Sequence, residues 1–397
     1  MADAVFQSAI SIRQSAIHEF SVIDVLIAGA GPAGSLAATI LARAGARVLV
    51  LDRAKFPRPK LCGDTLNPGA LSVIRRLGLG CADASSVPLD GWILTGEDGV
   101  RVEGRYEGVN GRGLARRDLD AALVMAAAGA GACIEEGVLV QGPLVDSSGN
   151  QPAVTGLTVS GRQGKPLQIR SRIVIAADGR YSRVARALGL SRAAPWPRRW
   201  AIGAYFEGVA GLSRLGEMHV RRTHYMGVAA LANGITNVCV VTPDLGRRLP
   251  EDCLMTLLRG DPLLGERFAD ARMVTAPICL GPLAVDARAA GTPGLLLAGD
   301  AAGFVDPITG DGLRFALRGA ELAALEAHRA LESGFDGAHV RLLEARQREF
   351  AAKWRFNRTV RWIVTYPAAI RAAGYGAAVL PQLLQHAIRY AGDVDAA

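Results

Sequence analysis

Glycine and aspartate recur in this chain at spacings suited to gripping a phosphorylated cofactor. The string Gly29-Ala30-Gly31-Pro32-Ala33-Gly34 is followed, 18 residues past its last glycine, by Asp52 and then Arg53. In such a string the first glycine makes a tight turn, the second lets the backbone approach a pyrophosphate, and the third lets helix and strand pack closely. Free amides at the helix start face the phosphates, and Asp52 is placed to bond both hydroxyls of an adenosine ribose. A 2′-phosphate beside that carboxylate would be repelled by on the order of 4 kcal/mol at contact near a surface. The pattern therefore selects FAD or NAD over NADP. Far along the chain, Gly299-Asp300 supplies a second carboxylate after an apolar run.

These residues need strand, turn and helix beneath them. Apart from Asp24, Val22 to Ala28 is apolar and rich in β-branched residues, which predicts a strand buried on both faces of a parallel sheet. The dozen residues after the glycines carry Leu36, Ile40 and Leu41 on one face and end at Gly45, which predicts a helix. Val48 to Leu51 is a second strand closed by Asp52, completing a βαβ unit. Gly129-Ala130-Gly131 follows helical sequence instead of a strand and reads as a helix-ending turn. Leu295 to Ala298 reads as a further strand, with Gly299-Asp300 as its turn. Leu313 onward reads as a helix with Phe315, Leu317, Leu322 and Leu325 available for burial. A ligand gripped from two such distant stretches is extended, which suits FAD better than NAD.

The 397 residues allow two or three structural units, and a 50% hydrophobic content is globular. The net charge of +8 comes from scattered arginines such as Arg112, Arg116, Arg117, Arg192, Arg198 and Arg199, without a nucleic-acid motif, so no nucleic-acid partner is expected. Six separated cysteines without a Cys-x-x-Cys pair suit a reducing cytoplasm. No metal-ligand spacing occurs among the histidines and cysteines. Residues 1 to 21 form an extension without an apolar core, and the Val25 to Leu51 stretch is too interrupted to span a membrane.

Three signatures in order resemble the flavoproteins of the p-hydroxybenzoate hydroxylase fold, which include aromatic hydroxylases, flavin halogenases and geranylgeranyl reductases. They are the dinucleotide unit, the Asp178-Gly179 motif within Ile175 to Gly189, and Gly299-Asp300-Ala301-Ala302. The resemblance implies an α/β architecture: a Rossmann-like FAD-binding domain (22–75, 110–190 and 291–340), an inserted antiparallel β-sheet substrate domain (76–109 and 191–290) and a C-terminal helical cap (341–397). It implies FAD as cofactor, with NAD(P)H as a transient reductant. By matching position, Asp300 would bond the ribityl hydroxyls. Pro307 and the Gly310-Asp311-Gly312-Leu313 turn would lie against the isoalloxazine, with backbone amides near N1 and the C2 carbonyl, where negative charge gathers on reduction. Ala115 to Leu123 resembles an Arg-x-x-Leu-Asp segment, making Arg116 a cofactor contact or else a plain helix-start arginine. Asp178 either reaches the cofactor or a pyridine nucleotide, or orients local backbone.

Phe56 to Leu71 resembles the Lys-x-Cys-Gly stretch of the geranylgeranyl reductase branch through Lys60, Cys62, Gly63, Asp64 and Pro68. Lys60 and Cys62 are accordingly candidates beside the flavin, with Cys62 on its substrate side; a buried packing cysteine is the alternative. The Tyr-x-Trp-x-Phe-Pro substrate motif of that branch is absent from His224 to Pro243, and so is the halogenase Trp-x-Trp-x-Ile-Pro. Oxygenation of an apolar aromatic, polyketide or lipid-like substrate through a flavin C4a-hydroperoxide is therefore expected first. Reduction of isoprenoid double bonds comes second, and a flavin-binding protein without turnover third. Alternating runs between 200 and 285 predict the antiparallel substrate sheet, on which His219, His224 and Tyr225 sit. Past 340, Trp354, Phe356, Trp362, Ile363, Val364 and Tyr366 with Arg355, Arg358 and Arg361 form an amphipathic cationic segment. It caps an apolar tunnel, rests on an anionic membrane surface at the inner face, or simply packs on the domain.

Overall fold

A computed structural model of the chain describes residues 23–394 apart from 81–84, 98, 149–150, 162–164 and 245–249. The N-terminal extension up to residue 21 lies outside the described residues.

Strand β1 (Val25–Ala28), helix α1 (Pro32–Arg43) and strand β2 (Val48–Asp52) form the expected βαβ unit. The central sheet runs Gly291–Thr292, Leu295–Leu297, Ile173–Ala176, β1, β2, Cys133–Glu136, and every pairing is parallel except the Gly291–Thr292 edge. Ile27 of β1 lies level with Ile175 on one side and Val50 on the other. Alternation divides each strand between two cores. Val25, Ile27, Val48, Val50, Ile173 and Ile175 face one of them. Leu26, Ala28, Leu49, Leu51, Val174 and Ala176 face the other. Burial on both faces is what a continuous apolar strand encodes.

The first face is covered by α1, α2 (Pro68–Arg76), α3 (Arg116–Gly129) and the long α6 (Gly312–Ser333). Between them in sequence come α4 (Arg183–Ala187) and α5 (Pro250–Arg259). On the second face lies a three-stranded antiparallel sheet built from Val140–Asp146, Ala153–Ser160 and Pro166–Arg170. Helix α6 buries Leu317, whereas Leu325 is 51% exposed, so the expected burial of Leu325 is wrong: the apolar stripe has rotated off the core there.

The second large sheet has eight strands. Its strands between 200 and 285 pair antiparallel as expected; the one parallel seam joins Leu215–Val220 to Gly91–Thr95. Ile202, Phe206, Met226 and Val240 bury one face under α5, a helix in a region read from sequence only as strands. Ala201, Met218, Tyr225 and Val241 line the other face, which looks toward the cofactor half. Helices α7 (Ala338–Ile363), α8 (Pro367–Val379) and α9 (Pro381–Gly392) close the chain.

Candidate functional site

The parallel strands all end at one place. Gly29 follows β1, Asp52 ends β2, Ala177 and Asp178 follow Ile173–Ala176, and Gly299-Asp300 follows Leu295–Leu297 after Ala298. Ligands of open α/β sheets bind in the crevice outside such carboxyl ends. Here that crevice continues under the second sheet as a cleft of about 420 Å³.

The expected residues Gly29, Gly31, Pro32, Ala33, Asp52, Arg53, Lys60, Cys62, Arg116, Asp178, Gly179, Gly299, Asp300, Pro307, Gly310, Gly312 and Leu313 all line this cleft. Gly34 stands behind the wall: a Cβ there would sit 1.8 Å from the Gly29 carbonyl oxygen, so its lack of a side chain is what lets α1 start against β1. Asp311 departs from expectation. Its side chain turns away from the cleft and accepts from Lys353 Nζ at 3.1 Å and Asn67 Nδ2 at 3.2 Å, because a buried carboxylate needs these donors. The 310–313 turn reaches the cleft through its neighbours.

Asp52 accepts the Ala30 amide at 2.8 Å and the Ala54 amide at 2.8 Å, fixing the glycine turn while its outer lone pairs face the cleft. Arg116 is no loose surface arginine: Asp120, fully buried, takes its Nε and Nη2 at 2.8 and 2.9 Å and draws Arg58 to 3.3 Å. Asp178 accepts the Arg183 amide at 2.9 Å, so it does orient local backbone at the start of α4 while also lining the cleft. Burial raises its pKa.

Lys60 is brought down to about 8 by burial and then by Arg180 and Arg116. Burial pushes the Cys62 thiol up, so it holds its proton. Next to it, Asp64 is fully buried, accepts Tyr205 Oη at 2.5 Å and Asn237 Nδ2 at 2.9 Å, and is lifted by burial to about 7.

Several wall residues were not nominated from sequence. Arg180 lies over the Phe304 ring at 4.9 Å and approaches Asp300 at 3.5 Å, leaving its Nε and Nη1 buried without a partner. Its signal was present, since it directly follows Asp178-Gly179. Arg58 likewise sits inside Phe56 to Leu71, and Phe304 lies two residues past Gly299 to Ala302. Trp92, Met218 and Leu283 had no local signal. Tyr225 lines the cleft and donates to Asp306 at 2.5 Å, and Arg199 reaches the same carboxylate at 3.4 Å. His219 lies elsewhere, buried between Thr95 and Glu217. Among the described residues no cluster of histidine, cysteine or carboxylate converges for a metal ion.

The donor set fits FAD. Glycines leave room for a pyrophosphate at the start of α1, the cations Arg58, Lys60, Arg116 and Arg180 line the same cleft near one another, and two guanidinium nitrogens of Arg180 are buried without an acceptor. The remaining wall, with Trp92, Ala201, Met218, Leu280, Leu283 and Phe304, is apolar.

Comparison with known proteins agrees with this cradle. The FAD binding domain family matches residues 22–234. The menaquinone reductase of Mycolicibacterium smegmatis is 29% identical over 94% of this chain and 91% of its own length. Digeranylgeranylglycerophospholipid reductase 2 of Methanopyrus kandleri is 32% identical over 78% of each chain. In fold, a geranylgeranyl bacteriochlorophyll reductase-like protein of Thermoplasma acidophilum superposes with a TM-score of 0.77 at 22% identity, covering 88% of this chain and 89% of its own. A flavin-dependent brominase gives 0.79 at 20% identity over 94% of each. The chain belongs to the FAD-binding domain family, among the FAD-dependent oxidoreductases that include the geranylgeranyl reductase-like proteins.

Proposed function

We propose that this protein is an FAD-dependent reductase that saturates carbon–carbon double bonds in a polyprenyl lipid. The observation that carries the reading is the apolar wall of Trp92, Ala201, Met218, Leu280, Leu283 and Phe304, which shares one cleft with the Pro307 to Leu313 turn. Hydrocarbon is stabilised in such a site at about 25 cal/mol per Å² of apolar surface removed from water. Two relatives whose names denote polyprenyl-bearing substrates, menaquinone and a digeranylgeranyl phospholipid, support the same substrate class.

When bound, FAD supplies a hydride acceptor and donor. The chain's own contribution is placement. Arg58, Lys60, Arg116 and Arg180 set positive charge along the cleft wall. The apolar wall excludes water beside the turn. Cys62 keeps a proton on Sγ at the wall, and Tyr225 directs its hydroxyl to Asp306, so neither sets a free anion against hydrocarbon.

The test is anaerobic incubation of FAD-loaded, dithionite-reduced protein with a geranylgeranyl-bearing phospholipid in micelles, read by mass spectrometry. Products that gain two hydrogens per double bond without oxygen support the reading. Products that gain an oxygen atom, formed only in air with NAD(P)H, overturn it in favour of oxygenation.

A further inference from the structure

Helix α8 is unusual for a surface helix. Arg371 is its one charged residue, and Ala368, Ala372, Tyr375 and Val379, spaced as one helical face, are all exposed. A helix apolar on its outer face as well as its inner one ordinarily lies buried. The corner into α9 extends this surface: Tyr375 is 73% exposed, Val379 75%, Leu380 51% and Leu383 67%. At the other end of α8, Tyr366 packs against Trp362 at 5.2 Å and Trp196 at 5.8 Å, and both tryptophans are more than half exposed.

Charge identifies what would cover it. From Ala351 to Gly392 the sequence holds Lys353, Arg355, Arg358, Arg361, Arg371 and Arg389 and no acidic residue. Lys353 is buried, Arg361 donates to the Pro197 carbonyl and Arg389 pairs with Glu107. Arg355, Arg358 and Arg371 are exposed. Arg355 and Arg358 share one face of α7 with the exposed Trp362, and Arg371 lies on α8 itself. Exposed aromatics and aliphatics on the same elements as unopposed arginines match the interface of an anionic bilayer. A second copy of the chain fits poorly, since a two-fold contact would set this acid-free stretch and its exposed arginines against themselves. Crossing the bilayer is excluded for α8 by its length, because a spanning helix needs about 20 residues, and no described helix is long and apolar enough to do so.

We infer that α8 and its corner with α9 rest on an anionic lipid surface, with Tyr375, Val379, Leu380 and Leu383 entering the headgroup region and Arg355, Arg358 and Arg371 facing lipid phosphates. On its inner side α8 buries Ile370 in the same hydrophobic cluster as Met218, Tyr225 and Leu283, which line the cleft. The helix that meets lipid therefore shares a continuous hydrophobic cluster with the apolar wall of the site. This continuity deepens the reductase reading, while the docking itself requires no turnover.

The experiment is sedimentation of the FAD-loaded full chain with vesicles of phosphatidylcholine alone or with added phosphatidylglycerol. Binding to the anionic vesicles should be about tenfold tighter at low salt and weaken as salt rises. Val379→Asp with Leu383→Asp, both at exposed positions, should abolish sedimentation while circular dichroism and Tm stay unchanged. Arg358→Glu with Arg371→Glu should remove the preference for phosphatidylglycerol. Absence of binding, binding untouched by Val379→Asp with Leu383→Asp, or a light-scattering dimer that those substitutions dissolve would each overturn the proposal. Failure of the double-bond test leaves this result standing, so the two readings fail separately.

Discussion

Asp300 sets the residue scale of the site, because it stands just past the end of a parallel strand, partly exposed, with Arg180 as its ion-pair partner at 3.5 Å. A carboxylate so placed is free to accept from ribityl hydroxyls. Asp300→Ala should weaken FAD retention by roughly tenfold or more, since hydrogen bonds to a charged group contribute about 1.5–3 kcal/mol. Flavin content after purification and titration of apoprotein check this, and normal occupancy would remove Asp300 from the site. Lys60 makes a pH prediction. Its pKa near 8 means the ammonium is charged below that pH and neutral above it. Affinity for a pyrophosphate should therefore be flat below pH about 8 and fall by up to about tenfold one unit above. Lys60→Met should bind more weakly and lose this dependence; a parallel slope in the variant would assign the titration elsewhere. Glycines and aspartates at strand ends were legible in sequence because their spacing is dictated by a tight turn and a close backbone approach. Asp311 was legible as a turn residue, but not in its direction, because Lys353 lies 42 residues away.

That lysine belongs to the scale of elements. Lys353 on α7 is 6% exposed and contacts Asp311 and Asp393 at 3.1 Å each and the Ala391 carbonyl at 2.9 Å. It thereby ties the end of α9 to the loop that lines the cleft. Removing a single partner from a buried ionic cluster strands the others, a loss of about 3–5 kcal/mol. Lys353→Met should lower stability by that order in urea titration and release α9 to proteolysis before the core unfolds; equal protease resistance would show that α9 is held by its apolar face alone. The contrast with β1, α1 and β2 is instructive. Those elements were readable to within a few residues because strand burial on both faces and a glycine turn are local signals. Helix α5 was not, because it lies between strands and its burial against Ile202, Phe206 and Val240 exists only after the second sheet forms.

At the scale of the whole molecule, the cleft draws its walls from Gly29 through Ala316, and no single segment contains it. The apolar wall was invisible in sequence for this reason: Trp92, Met218 and Leu283 are far apart in the chain and meet only when the second sheet pairs its strands. The same discontinuity gives a test of a ligand that spans it. At a FAD concentration about a hundredfold above Kd, binding adds about 2.7 kcal/mol to any opening that releases the cofactor. Amide exchange in residues 29–34 and 299–313 should then slow together, by about a hundredfold where exchange requires that release. ADP, which carries only the adenine half, should protect 29–34 and leave 299–313 at its free rate. The ratio between the segments decides the matter: with FAD it should be near one, and with ADP strongly biased to the first. Protection confined to 29–34 with both ligands would mean that the glycine turn holds a nucleotide while the 299–313 loop serves something else, and the extended-cofactor geometry of the cleft would have to be abandoned.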